Sequence, residues 1–167
     1  MKIYGRLKYV VLFPLLLSAS LSCKHHHRHA FGAADSLKVK DTVTQLAANI
    51  SRDVSAKGPL AWLSYFQDSP NFFMANNGQL VLHSHQQAKV FIQDTLVKSI
   101  TQIILKWQNL RVDVLSPRIA SIAADYYENL TFANGSSIPF NGYFTGIALR
   151  TPNGWKLRNA HWSVKAK

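Results

Sequence analysis

Two periodicities alternate along this chain, and their order predicts its architecture. From Asp35 to Lys57, Val39, Val43, Leu46, Ala47, Ile50 and Val54 recur at helical spacing and make one apolar stripe. Asp35 or Ser36 can cap the start of this helix and Gly58 ends it. Pro59 suits the first position of a second, short helix over Pro59–Phe66, with Leu60, Leu63 and Phe66 on one side. A turn at Asp68-Ser69-Pro70 follows. Asn71–Ala75 and Gln79–His83 then flank Asn76-Asn77-Gly78, a hairpin signal. Ser84-His85-Gln86-Gln87 reads as a capping box opening a third helix to Ser99, with Ala88, Phe91, Ile92 and Leu96 as its buried candidates.

From Thr101 the period changes to that of strands. Thr101–Leu115 and Ile119–Phe132 are rich in β-branched and aromatic residues, separated by Ser116-Pro117-Arg118. After a turn at Asn134-Gly135-Ser136, Gly142–Val164 reads as two long strands joined at Asn153-Gly154. Strict alternation along the last strand places Trp155, Leu157, Asn159, His161 and Ser163 on one face. Lys156, Arg158, Ala160, Trp162 and Val164 take the other. Helices first and a meander last predict an α+β fold: a cone-shaped roll of three N-terminal helices packed on a curved, mainly antiparallel sheet.

The first 22 residues stand outside that pattern. Lys2, Arg6 and Lys8 precede an apolar run, Tyr9–Leu17, and then small residues up to Cys23, the order of a secretory signal. Cys23 is the only cysteine, directly after the apolar run, and this resembles a bacterial lipoprotein signal in which the cysteine is lipidated and becomes the first mature residue. Residues 23–34, with His25, His26, His27 and His29, read as a His-rich tether, and residues 35–167 as the domain. The expected location is the bacterial cell envelope, lipid-anchored or periplasmic.

Charge changes the picture little. The 167-residue chain carries a formal +11; its 19 basic residues less Lys2, Arg6 and Lys8 leave 16 against 8 acidic ones. These are scattered from Lys24 to Lys167 without a basic run, so no nucleic-acid partner is expected. Adjacent histidines on a tether bind metal weakly. His83, His85 and His161 lack a further ligand at supporting spacing, so no metal and no cofactor are expected. Gly-rich phosphate loops and nucleophile elbows are absent from the sequence.

Three groups of residues carry candidate chemistry. His161 offers an imidazole for proton exchange and shares its expected face with Ser163. Glu128, the only glutamate, ends an apolar face of Ala120, Ile122, Ala124 and Tyr126. There it can act as a base with a raised pKa, or pair at a rim with Arg150 or Arg158. Asp68 is a third acid, with turn capping as its competing role. Tyr65 and Trp107 join Tyr126, His161 and Ser163 as expected pocket lining.

The element order resembles the nuclear-transport-factor-2-like superfamily, in its SnoaL-like or ketosteroid-isomerase-related branch. The residues that carry the resemblance are Leu60-Ala61-Trp62-Leu63-Ser64-Tyr65-Phe66, the hairpin at Asn77-Gly78, and Asn153-Gly154-Trp155-Lys156-Leu157 followed by Ala160-His161-Trp162-Ser163. It covers roughly residues 37–164. The resemblance implies a cone that holds a small ligand, and a superfamily that includes isomerases, cyclases, dehydratases and assembly domains. No Tyr-plus-acid pair matching the isomerases can be placed in the sequence. Three readings follow. The first is a pocket for a small apolar or amphipathic molecule, with catalysis unassigned. The second is an isomerase, cyclase or dehydratase using His161, Glu128 or Asp68. The third is a module forming a homodimer through a sheet face bearing Trp162 and Val164.

Overall fold

The computed structural model describes residues 31–165. The expected signal, Cys23 and all but the end of the tether lie outside the described residues. Helix α1 runs Ala33–Lys57 and so takes in the tether's last two positions. Its N-terminus is held by the Asp35 carboxylate, which accepts from the Gly32 N–H at 3.3 Å. Gly58 ends it with φ of +73°, a conformation that favours glycine. The stripe Val39, Val43, Leu46, Ala47, Ile50 and Val54 is buried throughout. The expected second, short helix is a 3₁₀ helix, Pro59–Ser64, two residues shorter than expected.

Strands β1 (Phe73–Asn76) and β2 (Gln79–Leu82) form the short hairpin, with Asn77 and Gly78 both at positive φ. Helix α2 (His85–Phe91) is capped by Ser84, whose Oγ accepts from the Gln87 N–H. It passes through a π-turn, Ile92–Leu96, into a last turn α3 (Val97–Ser99). Ala88 and Ile92 are buried as expected. Phe91, the last residue of α2, is exposed.

Four long strands follow: β3 (Ile100–Ser116), β4 (Ile119–Phe132), β5 (Ser137–Thr151) and β6 (Gly154–Val164). The sheet order is β2-β1-β6-β5-β4-β3. All pairs are antiparallel except β1 with β6, which run parallel. The expected α+β roll is therefore present, with helices at one face of a curved, open sheet. The β3 edge is covered by α1. Ser51 donates to the Leu105 carbonyl, Ser55 accepts from the Leu105 N–H, and Trp107 Nε1 donates to the Ala47 carbonyl at 2.9 Å.

The final hairpin departs from expectation in two ways. Its turn centres on Pro152-Asn153, and Gly154 alone takes a positive φ, +91°. Proline presets the first turn position, and Thr151 Oγ1 both accepts from the Asn153 N–H and donates to the Gly154 carbonyl. More consequential is a β-bulge. Leu157 pairs with Ala148 and Asn159 with Ile147, so Arg158 is an extra residue with no partner. The strand is pinned there from its other side. The Leu157 N–H donates to the Tyr65 carbonyl, and the Leu157 carbonyl accepts from the Gln67 N–H. The inward set of β6 is consequently Trp155, Leu157, Ala160 and Trp162, not a simple alternation.

Candidate functional site

Between the helices and the concave face of the sheet lies a cavity of about 320 Å³. Trp62 comes to it from the 3₁₀ segment and Phe66 from just beyond it, and Phe91, Ile92 and Leu96 from α2 and the π-turn. β4 contributes Tyr126, Glu128 and Leu130, and β6 contributes Trp162. The narrow end is filled by the protein's own rings. Trp162 stacks on Trp107 at 5.7 Å and meets Tyr126, Phe144 and Trp62 at 4.9, 4.8 and 5.6 Å.

Glu128 is the carboxylate in this cavity. Alternation along β4 carries it there, behind the buried Ala120, Ile122, Ala124 and Tyr126. The residue keeps some contact with solvent at the opening. Its carboxyl group is nevertheless largely withdrawn from water, and this pushes its pKa up to about 7. It makes no hydrogen bond or ion pair with any described residue, so the expected alternative of pairing with Arg150 or Arg158 is not formed. Arg150 sits at the far end of β5, opposite Trp155. Tyr126 lies two residues from Glu128 on the same face. Burial, reinforced by the Glu128 charge, raises its phenol to about 12 and keeps it a neutral donor. The Tyr126 ring rests over Gly142, where a Cβ would fall 1.9 Å from the Ser163 carbonyl oxygen and 2.7 Å from the ring.

The other expected site residues lie elsewhere. His161 is not in the cavity. The bulge at Arg158 turns it to the opposite face of the sheet, where it pairs with Thr145 across the strands and its Nδ1 lies 3.4 Å from Thr145 Oγ1. Ser163 follows it outward and donates to the Tyr143 carbonyl. Ser163 belongs instead to an open hollow of about 490 Å³, with Gln108, Asp125 and Tyr143. That hollow is larger, but its one carboxylate, Asp125, is already bonded to Asn109 Nδ2 at 2.7 Å. Asp68 is fully outside, with its side chain 95 % exposed and paired to His85 Nδ1 at 2.9 Å. Tyr65 turns toward α1 and donates to Asp53 at 2.6 Å, which with Arg52 and Lys57 lowers the Asp53 pKa to about 2. Trp107 is core beneath the cavity. Trp162, expected on an open dimer face, is inside the cone, since the bulge reverses the parity of the strand after Leu157. Trp62 and Phe66 belong to the aromatic positions expected as core, some of them lining a cone, and both line the cavity; Trp162 was not expected there and depended on the bulge.

No protein-family model matches the chain, and no curated protein matches it by sequence. Solved structures do. A nuclear transport factor 2-like superfamily protein from Salmonella enterica superposes with a TM-score of 0.67 at 20% identity, covering 78% of this chain and 94% of that one. A hexachlorocyclohexane dehydrochlorinase, LinA type 2, gives 0.65 at 15%, covering 81% and 90%. LinA-type3 from Novosphingobium barchaimii gives 0.64 at 15%, covering 81% and 92%. The chain therefore has the nuclear-transport-factor-2-like fold. At these identities the likeness is one of fold.

Proposed function

We propose that this nuclear-transport-factor-2-like cone binds a small apolar or amphipathic molecule, with Glu128 as its polar contact. One observation carries the reading. A cavity of about 320 Å³ walled by aromatic and aliphatic side chains contains a single carboxylate that no described residue satisfies. That is the composition of a ligand pocket: mostly apolar, with few convergent polar groups. Trp62 and Trp162 line it and report occupancy. Native mass spectrometry of the purified chain, with tryptophan fluorescence during ligand addition, tests the reading. Saturable quenching is expected in the wild type and its loss in Leu130→Trp, which fills the cavity. Quenching unchanged in that variant would sink the reading.

A second reading is proton-transfer catalysis in the same cavity, of the isomerase or dehydratase kind. It is favoured by Glu128 titrating near neutrality beside a Tyr126 hydroxyl that stays protonated. Glu128 would take a proton from the bound molecule while Tyr126 donates a hydrogen bond to the oxygen gaining charge. The dehydrochlorinases among the similar structures fit this chemistry by name. Deuterium incorporation from solvent into a bound ligand, lost in Glu128→Gln, is the expected result; no incorporation in the wild type would refute it. We also propose that the chain is exported and lipidated at Cys23. An unmodified Cys23 in the mass spectrum of a membrane fraction would refute that.

A further inference from the structure

We infer that the cavity takes an organic monocation, an alkyl- or arylammonium, with Glu128 as counter-ion and Trp62, Tyr126 and Trp162 as the walls around it. This inference rests on the ligand-pocket reading above and narrows the ligand's class.

The argument starts from what a lone carboxylate needs. A charged carboxylate withdrawn from water and left unpaired costs several kcal/mol. A cone built only to hold apolar molecules gains nothing from it, since glutamine or leucine has a similar volume. The charge can be relieved by a proton, by water or by a cation. The lining contains no lysine, arginine or histidine, so the protein supplies no cation of its own. The same absence disfavours an anionic ligand, which would meet Glu128 with nothing to neutralise either charge. A neutral apolar ligand would displace water and leave the carboxylate worse off. An ammonium ion satisfies the carboxylate and also meets the negative faces of aromatic rings. Such contacts strengthen as the site is withdrawn from water. The Trp162–Tyr126 and Trp162–Trp62 pairs stand nearly perpendicular, at 82° and 88°. In each of these contacts the edge of one ring meets the face of the other, so the ring surface left for a cation is the part that lines the cavity beyond the contact. The chain's overall positive charge opposes cation approach only weakly, because surface charges are screened beyond about 8 Å at physiological salt.

The titratable groups facing Glu128 are few. From β4 there is Tyr126. The residues lining from the 3₁₀ segment, β1, β2, the α2–π segment, β3, β5 and β6 are apolar side chains, Asn76 and Asn77. The pH dependence of cation binding is therefore that of Glu128. Affinity is highest above its pKa of about 7 and falls as the carboxyl protonates below it.

The test compares phenyltrimethylammonium with its uncharged carbon isostere, tert-butylbenzene, by tryptophan fluorescence and calorimetry at pH 6 and pH 8.5. At the higher pH the cation is expected to bind roughly tenfold tighter or more, a difference of about 1.4 kcal/mol. That preference should shrink at the lower pH and vanish in Glu128→Gln. Equal or tighter binding of tert-butylbenzene to the wild type at pH 8.5 overturns the cation inference and leaves the pocket reading intact. Binding of neither compound overturns the inference; the ligand-pocket reading is then judged separately, by the Leu130→Trp comparison. A cation preference that survives in Glu128→Gln also overturns it, because Glu128 would not be the counter-ion.

Discussion

Glu128 shows how position, rather than residue type, creates a reactive group. Its carboxyl would titrate at 4.5 in an unfolded chain and is raised to about 7 by burial alone. A raised folded-state pKa means that the native state holds the proton more tightly than the unfolded state. The benefit of protonated Glu128 is fully present below about 4.5 and is lost as pH rises through about 7. Above that, the buried charge destabilises the fold by at most roughly 3 kcal/mol, from 1.36 kcal/mol per pKa unit. Glu128→Gln, which keeps the volume and removes the charge, should therefore be more stable than the wild type at pH 8.5, by roughly 1–3 kcal/mol. The two should converge at pH 4. Urea denaturation at both values measures this, and a variant less stable at pH 8.5 would show that the carboxylate is satisfied in the native state. The location of this residue was legible in the sequence. An apolar alternation of Ala120, Ile122, Ala124 and Tyr126 runs straight into it on an unbroken stretch of strand.

At the scale of the element, one inserted residue decides which side chains face the cavity. β6 carries Trp155 and Leu157 inward on one parity and Ala160 and Trp162 on the other, with Arg158 absorbing the difference. Deleting Arg158 would restore plain alternation, and then only one of those two pairs can remain inside. Losing either leaves a large cavity and exposes indole or leucine, so the deletion should cost upward of about 3 kcal/mol. Arg158→Ala retains the extra residue and should change stability by less than about 1 kcal/mol. Thermal unfolding of the two variants tests this directly, and equal effects would mean that the bulge can shift along the strand. The same residue explains why His161 and Ser163 were expected in the cone and are not there. Period-two reasoning has no signal for a bulge whose determinants lie outside the strand. These are the Tyr65 and Gln67 backbone groups bonded to Leu157, some ninety residues earlier in the chain. Elements with purely local determinants were legible: the α1 stripe with its Gly58 stop, the Ser84 cap, and the Asn77-Gly78 hairpin.

At the scale of the whole molecule, the rings of the cone tie its layers together. Trp107 binds the Ala47 carbonyl of α1 and stacks on Trp162 of β6. Trp162 in turn touches Trp62 of the 3₁₀ segment, Tyr126 of β4 and Phe144 of β5. A residue contacting this many elements belongs to the core that holds helices on sheet, as well as to the cavity wall. Had β6 followed simple alternation, Trp162 would have stood with His161's present neighbours on the far side of the sheet, and its removal would be nearly neutral. The bulged register makes the opposite forecast. Trp162→Ala should destabilise the domain by about 3 kcal/mol, since truncating this half-buried indole loses its contacts with the core and leaves a void. Against a typical domain stability of about 5–15 kcal/mol, that variant should still fold but melt on the order of 10 °C lower. His161→Ala, on the outer face with a single long contact to Thr145, should shift the midpoint by no more than about 2 °C. Calorimetry of the pair decides between the two registers. A Trp162→Ala midpoint as little changed as that of His161→Ala would place Trp162 on the outer surface, and the cavity would lose one of its walls.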